Sequence, residues 1–427
     1  MKKTVFISFI LIFLGAFPLR SLAQIDQWEL LTDQYRNVTL RDMDASGDTL
    51  IAVGPDISTF TPHILRSFDD GRSWDTLQVG NGPLLRSIQF SDQNHAVIGS
   101  VNTFSCVLRT SDAGHNWEWM WCDLDSNFTG INQIEFFDEQ HAYMFGWGRD
   151  AFTSGCMYET TDGGVSWAHV KGNLPDQPIE FAQFLSPQQG YTGSFLFGHS
   201  LLFRTIDGGQ SWQECTAVDS MSFTAAYFHD IQRGFMSTMD GIIWATHDSG
   251  HTWTEVHTDS NAYFMGIEFA NEKYGVAVGN EYSGRSQPVI AYTTDGGTTW
   301  KRVDNMPAHF QLQKAKFTSD RFYVVSGSGE VLRSGKVDLT TSTTDVQKEE
   351  FELKLFPNPT PVGNRVEIPT EWSGWVDIKV LNNLGERVGQ LRLHEGEREI
   401  QANYEPGIYF LQISHEQGSH SIKWVIR

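Results

Sequence analysis

Acidic side chains recur where loops are expected: Asp123, Asp125, Asp176, Asp219, Asp259 and Asp304. Two carboxylates on opposite sides of a sugar could hydrolyse a glycosidic bond, one as acid and one as base or nucleophile. Asp42, Asp44, Ser46 and Asp48 place oxygens at alternate positions around Gly47, as the start of a calcium loop does. The position for a closing Glu is Val53, so a polar hairpin turn explains this stretch as well, and calcium there stays open. Phe60, Phe104, Trp147, Phe152, Phe195 and Tyr282, with Arg285, form a second set that could line a binding surface. Cys106, Cys122, Cys156 and Cys215 contain no Cys-x-x-Cys pair, so no metal site and no cofactor is expected. Cys106 and Cys122 would face each other across a hairpin, a candidate disulfide.

A repeat must position these residues. Ser67, Asp69, Gly71, Ser73 and Trp74 follow the pattern Ser/Thr-x-Asp-x-Gly-x-Ser/Thr/Asn-Trp. It returns with Asp112 and Trp117, Asp162 and Trp167, Asp207 and Trp212, Asp248 and Trp253, and Asp295 and Trp300. The Asp suits a turn because its carboxylate accepts backbone N–H groups. The Gly tolerates a positive φ, and the Trp buries a large ring under the returning strand. Each copy sits between apolar runs, so it reads as a hairpin connection. Seven runs precede and seven follow the 2–3 loops, against six boxes. Four short strands per unit at this period describe propeller blades. The seventh unit lacks its box and last strand, and residues 28–31, with a Trp and no box before it, supply that strand from the other end of the chain. Strand parity then puts every box on one face and the longer 2–3 loops on the other, where function is expected.

The repeated stretch resembles the Asp-box (BNR-type) motif of the photosystem II assembly factor, sortilin and sialidase group. That resemblance implies a seven-bladed β-propeller in which the boxes are structural. No Phe/Tyr-Arg-Ile-Pro segment precedes the first box, so the arginine set of sialidases is not carried over. Residues 351–427 are different in pattern. Phe356-Pro357-Asn358-Pro359, the turn at residues 381–388, Pro406-Gly407-Ile408-Tyr409-Phe410 and Lys423 resemble the type A C-terminal sorting domain of the type IX secretion system of Bacteroidetes. The resemblance implies a small immunoglobulin-like β-sandwich read by the export machinery.

The expected organisation is therefore all-β. It comprises a signal peptide at residues 1–23, a propeller at 24–337, a polar linker at 338–350 and a sorting domain at 351–427. Lys2 and Lys3, an apolar stretch and small residues before position 24 carry the signal-peptide reading. Removing them takes away Lys2, Lys3 and Arg20, so the formal charge goes from −21 to −21 − 3 = −24. Such a surface disfavours nucleic acid. No transmembrane segment is expected in the mature chain. The reading is a secreted or cell-surface protein, reached through the periplasm, that binds a protein or glycan rather than catalysing. The alternative is a glycoside hydrolase or lyase acting on an extracellular polysaccharide.

Overall fold

The structure is a computed structural model with two compact units, residues 1–342 and 343–427. In the first it describes residues 25–339, except 81, 102–105, 122–127, 149–154, 171, 175–177, 197–198, 216–221, 283–286, 305, 307–310, 319 and 338. In the second it describes residues 354–356, 364–367, 376–382, 387–393, 399–400, 407–415 and 418–426. No helix occurs among the described residues.

The first unit is a ring of seven antiparallel blades. Blade 1 runs through Asp42–Ser46, Thr49–Pro55, Pro62–Ser67 and Asp75–Gln78. The inner strands of the next six blades are Leu84–Phe90, Phe128–Phe136, Phe181–Phe184, Phe223–Phe228, Ala262–Phe269 and Leu312–Thr318. Each inner strand contacts the inner strand of the next blade, and Leu312–Thr318 returns to Asp42–Ser46. Blade 7 takes its outer strand from the other end of the chain. Trp28–Thr32 pairs antiparallel with Val331–Ser334, Trp28 opposite Ser334 and Leu30 opposite Leu332. Closure leaves no inner-to-outer blade with a missing partner strand and removes two open edges. The core is a series of apolar layers between blades, such as Val276, Ile290, Phe322 and Val324.

The six boxes share one geometry. In the first, Asp69 Oδ1 accepts Ser73 N–H at 2.8 Å and Oδ2 accepts the Ser73 hydroxyl at 2.6 Å. The Ser67 hydroxyl donates to Asp69 at 2.9 Å and accepts Gly71 N–H at 2.8 Å. Asp112, Asp162, Asp207, Asp248 and Asp295 repeat the bond to the backbone N–H four residues on. Two consecutive residues need positive φ, Asp70 with Gly71 in the first box and Gly163 with Gly164 in the third. The Trp rings are less uniformly buried than their role suggests. Trp212 and Trp300 are buried, while Trp74, Trp117, Trp167 and Trp253 keep an exposed edge. In each box the outer strand begins one residue after the Trp, as at Asp75 and Thr254.

The second unit contains two antiparallel sheets. One orders Lys354–Phe356, Asn364–Glu367 and Glu399–Ile400. The other orders Arg387–Leu393, Val376–Asn382, Gly407–His415 and Gly418–Ile426.

Candidate functional site at the propeller axis

The inner strands share a five-residue register that ends on Ala45 or a Phe: Phe90, Phe136, Phe184, Phe228, Phe269 and Phe317. The residue just before that position comes once from each blade. In order these are Asp44, Gln89, Glu135, Gln183, Tyr227, Glu268 and Lys316. An inner strand has an unpaired edge, and these side chains cover it. Asp44 accepts Phe90 N–H at 2.8 Å, Gln89 accepts Phe136 N–H at 2.8 Å, and Gln183 accepts Phe228 N–H at 2.7 Å. Glu268 reaches Phe317 N–H at 3.4 Å. A buried N–H left without such an acceptor would cost free energy, which explains the run of acids and amides.

Three residues earlier in the same register lie Arg41, Arg86, Asn132, Glu180, Thr224, Met265 and Gln313. In five blades this residue is the extra one of a β-bulge, between Leu85 and Ser87 for example. A bulge re-aims a side chain. Here it adds a layer at the strand starts, on the face of the 2–3 loops. Together the layers enclose a cavity of about 370 Å³ on the ring axis, within the range of small-ligand sites.

The deep part of the cavity is charged. Lys314 pairs with Asp42 at 2.9 Å. Burial alone would lower the Lys316 ammonium, but Asp44, Glu268, Glu135 and Asp42 outweigh it and hold it above its ordinary range. Burial pushes the Glu268 carboxyl up to about 7 and raises Glu135 and Asp44, each against the pull of Lys316. Glu135, Glu268 and Lys316 lie deep between the blades yet are only half-buried, because the cavity opens beside them. At the mouth, Arg86 pairs with Glu180 at 3.0 Å and lies over the Trp147 ring at 5.1 Å. Burial and the neighbouring Arg86 lower the Arg41 guanidinium, which forms no ion pair among the described residues.

The residues singled out from the sequence divide. Trp147 joins the axis through Arg86, and its indole covers Gly130, where a Cβ would lie 2.6 Å from the ring. Phe60 is 72% exposed at the tip of the blade 1 loop with a φ of 55°. Asp56, held at about 2 by bonds from Ser58 and Thr59, fixes that tip. Tyr282 is 57% exposed, 5.5 Å from the Tyr263 ring, and donates to the Met239 carbonyl. Phe195 lies in the strand Gly190–Leu196. Phe104, Phe152, Arg285, the side chain of Phe195, Cys122 and the side chain of Cys106 lie outside the described residues, so the disulfide pairing does too. Cys215 is buried, and burial pushes its thiol up to about 11. Of the loop acids, Asp259 is paired with Arg302 at 3.2 Å and Asp304 is exposed; Asp123, Asp125, Asp176 and Asp219 lie outside the described residues. The calcium-like stretch is strand Asp42–Ser46 and a turn at Gly47 and Asp48, with Asp42 and Asp44 turned to the backbone of blade 2. Its first two acids are thus inter-blade groups, which sequence spacing alone could not separate from metal ligands.

Comparison with known proteins agrees with this architecture. Residues 118–260 match the family model of photosynthesis system II assembly factor YCF48, and residues 200–364 that of sortilin, neurotensin receptor 3. Residues 354–427 match the secretion system C-terminal sorting domain. The first unit is a β-propeller that carries Asp-box repeats, and the segment after it matches a type IX sorting domain. A solved structure described as YCF48 bound to D1 peptide aligns with a TM-score of 0.58 at 18% identity, covering 73% of this chain and 97% of that one. YCF48 from Cyanidioschyzon merolae gives 0.59 at 17%, covering 72% and 99%. Virginiamycin B lyase from Staphylococcus aureus gives 0.57 at 9%, covering 73% and 99%. At these identities the likeness is one of fold. No curated protein matches the sequence significantly. The sorting domain marks the chain for export to the cell surface or the medium.

Proposed function

We propose that this is an exported binding protein whose 2–3 loop face, centred on the axial cavity, engages a protein segment. The observation that carries this reading is the placement of exposed apolar side chains. Ile57, Phe60, Met239 and Tyr282 all stand on the 2–3 loops, on the face where Arg41 and Arg86 line the cavity. Phe60 is held outward at a φ that a bulky residue rarely adopts, and such strain clusters at ligand clamps. A YCF48 structure containing a peptide makes a protein ligand reasonable for a propeller of this type. Residues 351–427 serve as the address for the secretion machinery, and the ligand site lies within residues 24–337.

A photo-crosslinking residue at position 60 or 282, set against one at 165 or 206, tests the face. Val165 and Ile206 are exposed within boxes on the other side. In outer-membrane extracts, adducts are expected from 60 and 282 and none from 165 and 206. Adducts from the box positions alone would refute the assignment.

A further inference from the structure

The deep cavity holds an imbalance of charge. Four carboxylates, Glu135 and Glu268 in the cavity wall and Asp42 and Asp44 behind it, stand against the two ammonium groups of Lys314 and Lys316. Lys314 neutralises Asp42, leaving three acids around one lysine. Among the described residues, Lys316 has no hydrogen bond and no close ion pair. It faces the open cavity, with Asp44, Glu135 and Glu268 acting on its charge from around it. Glu135 spends one oxygen on Gln133 at 2.8 Å and Glu268 one on Phe317, and their second oxygens meet no donor among the described residues. Asn132 adds a separate sign of a missing donor. It is 6% exposed and lines the cavity, and its amide N–H bonds the Ile179 carbonyl at 2.6 Å. Its Oδ1 is buried with no partner. Buried acceptors of this kind are normally satisfied. Nearer the mouth the wall is partly apolar, with Phe181, Ala225 and Met265. The Arg86–Glu180 pair is neutral overall, so among the described residues Arg41 is the one unpaired cation facing an entering group there.

We infer that the axial cavity seats one lysine side chain of the bound segment, its ammonium among Glu135, Glu268 and Asn132 and its methylene stem along Phe181 and Met265. This rests on the binding face proposed above. A lysine fits because its charge sits at the end of a neutral four-carbon stem, which can pass Arg41 and cover apolar wall. A guanidinium or a carboxylate fits less well: the first is planar and broad, the second would add to the excess of acids.

The ring itself supplies native-like substitutions. Gln occupies the equivalent position in blades 2 and 4 and makes the same bond to the next blade. Glu268→Gln and Glu135→Gln should therefore remove charge and keep the ring closed. Isothermal titration of the full chain with Nα-acetyl-lysine methylamide should show saturable binding, and the norleucine counterpart none. The double Gln variant should bind the lysine amide at least tenfold more weakly. Lys316→Gln removes the competing cation and should tighten it. A purely structural role would move both variants in the same direction. Equal binding of norleucine amide, unchanged affinity in the double variant, or binding of cadaverine but not the lysine amide would overturn the proposal. Crosslinking from positions 60 and 282 combined with any of those results would leave the binding face standing and remove only the lysine. Lysine-amide binding without crosslinking would do the reverse.

Discussion

Among the described residues, two inter-blade ion pairs, Lys314–Asp42 and Arg333–Asp70, meet at the junction between blades 7 and 1, against the rim pair Arg233–Glu272 between blades 5 and 6. Elsewhere on the axis the bonds across a junction run from amides or single acids to backbone, as with Gln89 to Phe136 and Gln183 to Phe228. At the 7–1 junction two lysines, Lys314 and Lys316, face Asp42 and Asp44. The rim shows the same contrast. Arg66 and Arg109 donate to box carbonyls of the next blade, at Gly114 and Gly163. Arg333 does this at Asp70 and also pairs with the Asp70 carboxylate at 2.6 Å and Glu29 at 2.9 Å. Tyr323 donates to Asp70 at 2.9 Å as well. The other junctions join neighbours in sequence, whereas this one must bring together residues some 300 positions apart at a larger loop-closure cost. Charge complementarity makes the correct partner distinct from the six similar alternatives.

The sharpest way to break the comparison is to remove the strand that crosses the junction. Deleting residues 24–34 takes away the partner of Val331–Ser334 together with Glu29. The loss should be at least about 4 kcal/mol, beyond what most single substitutions cause. Chemical denaturation of the full chain and the deletion would check it, and equal midpoints would mean that closure does not depend on this strand. Next in size is Trp300→Ala. Its ring is 8% exposed against Phe235 and Phe269, so about 3–5 kcal/mol is expected. Trp167→Ala, at a half-buried ring, should cost less, and the difference between the two measures how much burial each box provides.

Lys314→Met against Gln89→Leu compares a charged junction with a neutral one. The first leaves Asp42 buried beside an apolar chain, for about 3 kcal/mol or more. The second leaves Phe136 N–H without its acceptor, for about 1–3 kcal/mol. If the two melts shift equally, the charged junction has no special weight. Asp162→Ala, which removes one turn acceptor, should cost about 1 kcal/mol.

The smallest effect is in pH, and it has opposite signs at rim and axis. Hydrogen bonds hold Asp69, Asp112 and Asp248 at about 2, below their unfolded value. Their contribution is present above about pH 4 and is lost as pH falls toward 2. Burial raises Glu268 to about 7, so it binds a proton in the folded chain before it does in the unfolded one. Its charged form is a burden above pH 7, relieved as pH falls toward about 4.5. Melting temperatures from pH 8 to 2 should therefore rise slightly, then drop. Glu268→Gln should flatten the rise and leave the drop, and a drop absent from both proteins would contradict the box assignment.

The rim was readable in the sequence because each box keeps its residue types and spacing. The seventh outer strand was readable too, since Trp28 repeats the box Trp without a box. The axis was not, because its positions conserve place rather than type: Asp44, Tyr227 and Lys316 look unrelated. The available signal was the recurring Phe after each, as in Ile88-Gln89-Phe90 and Ile267-Glu268-Phe269. The longest loops point to Phe60 and Tyr282, and among the described residues of that set Trp147 is the one placed against an axial side chain, Arg86. The bulges that aim Arg86 and Asn132 depend on inter-strand pairing, which periodicity does not reveal.

The most direct test of the division between scaffold and site pairs stability with capture. Phe60→Ala and Asp162→Ala would each be melted and then used to recover the photo-crosslinked partner through position 282. Phe60→Ala should melt like the unaltered chain and lose most of the adduct. Asp162→Ala should melt lower and keep it. Loss of the adduct in a fully stable Asp162→Ala chain, with Phe60→Ala unaffected, would place the function on the box face and contradict this account.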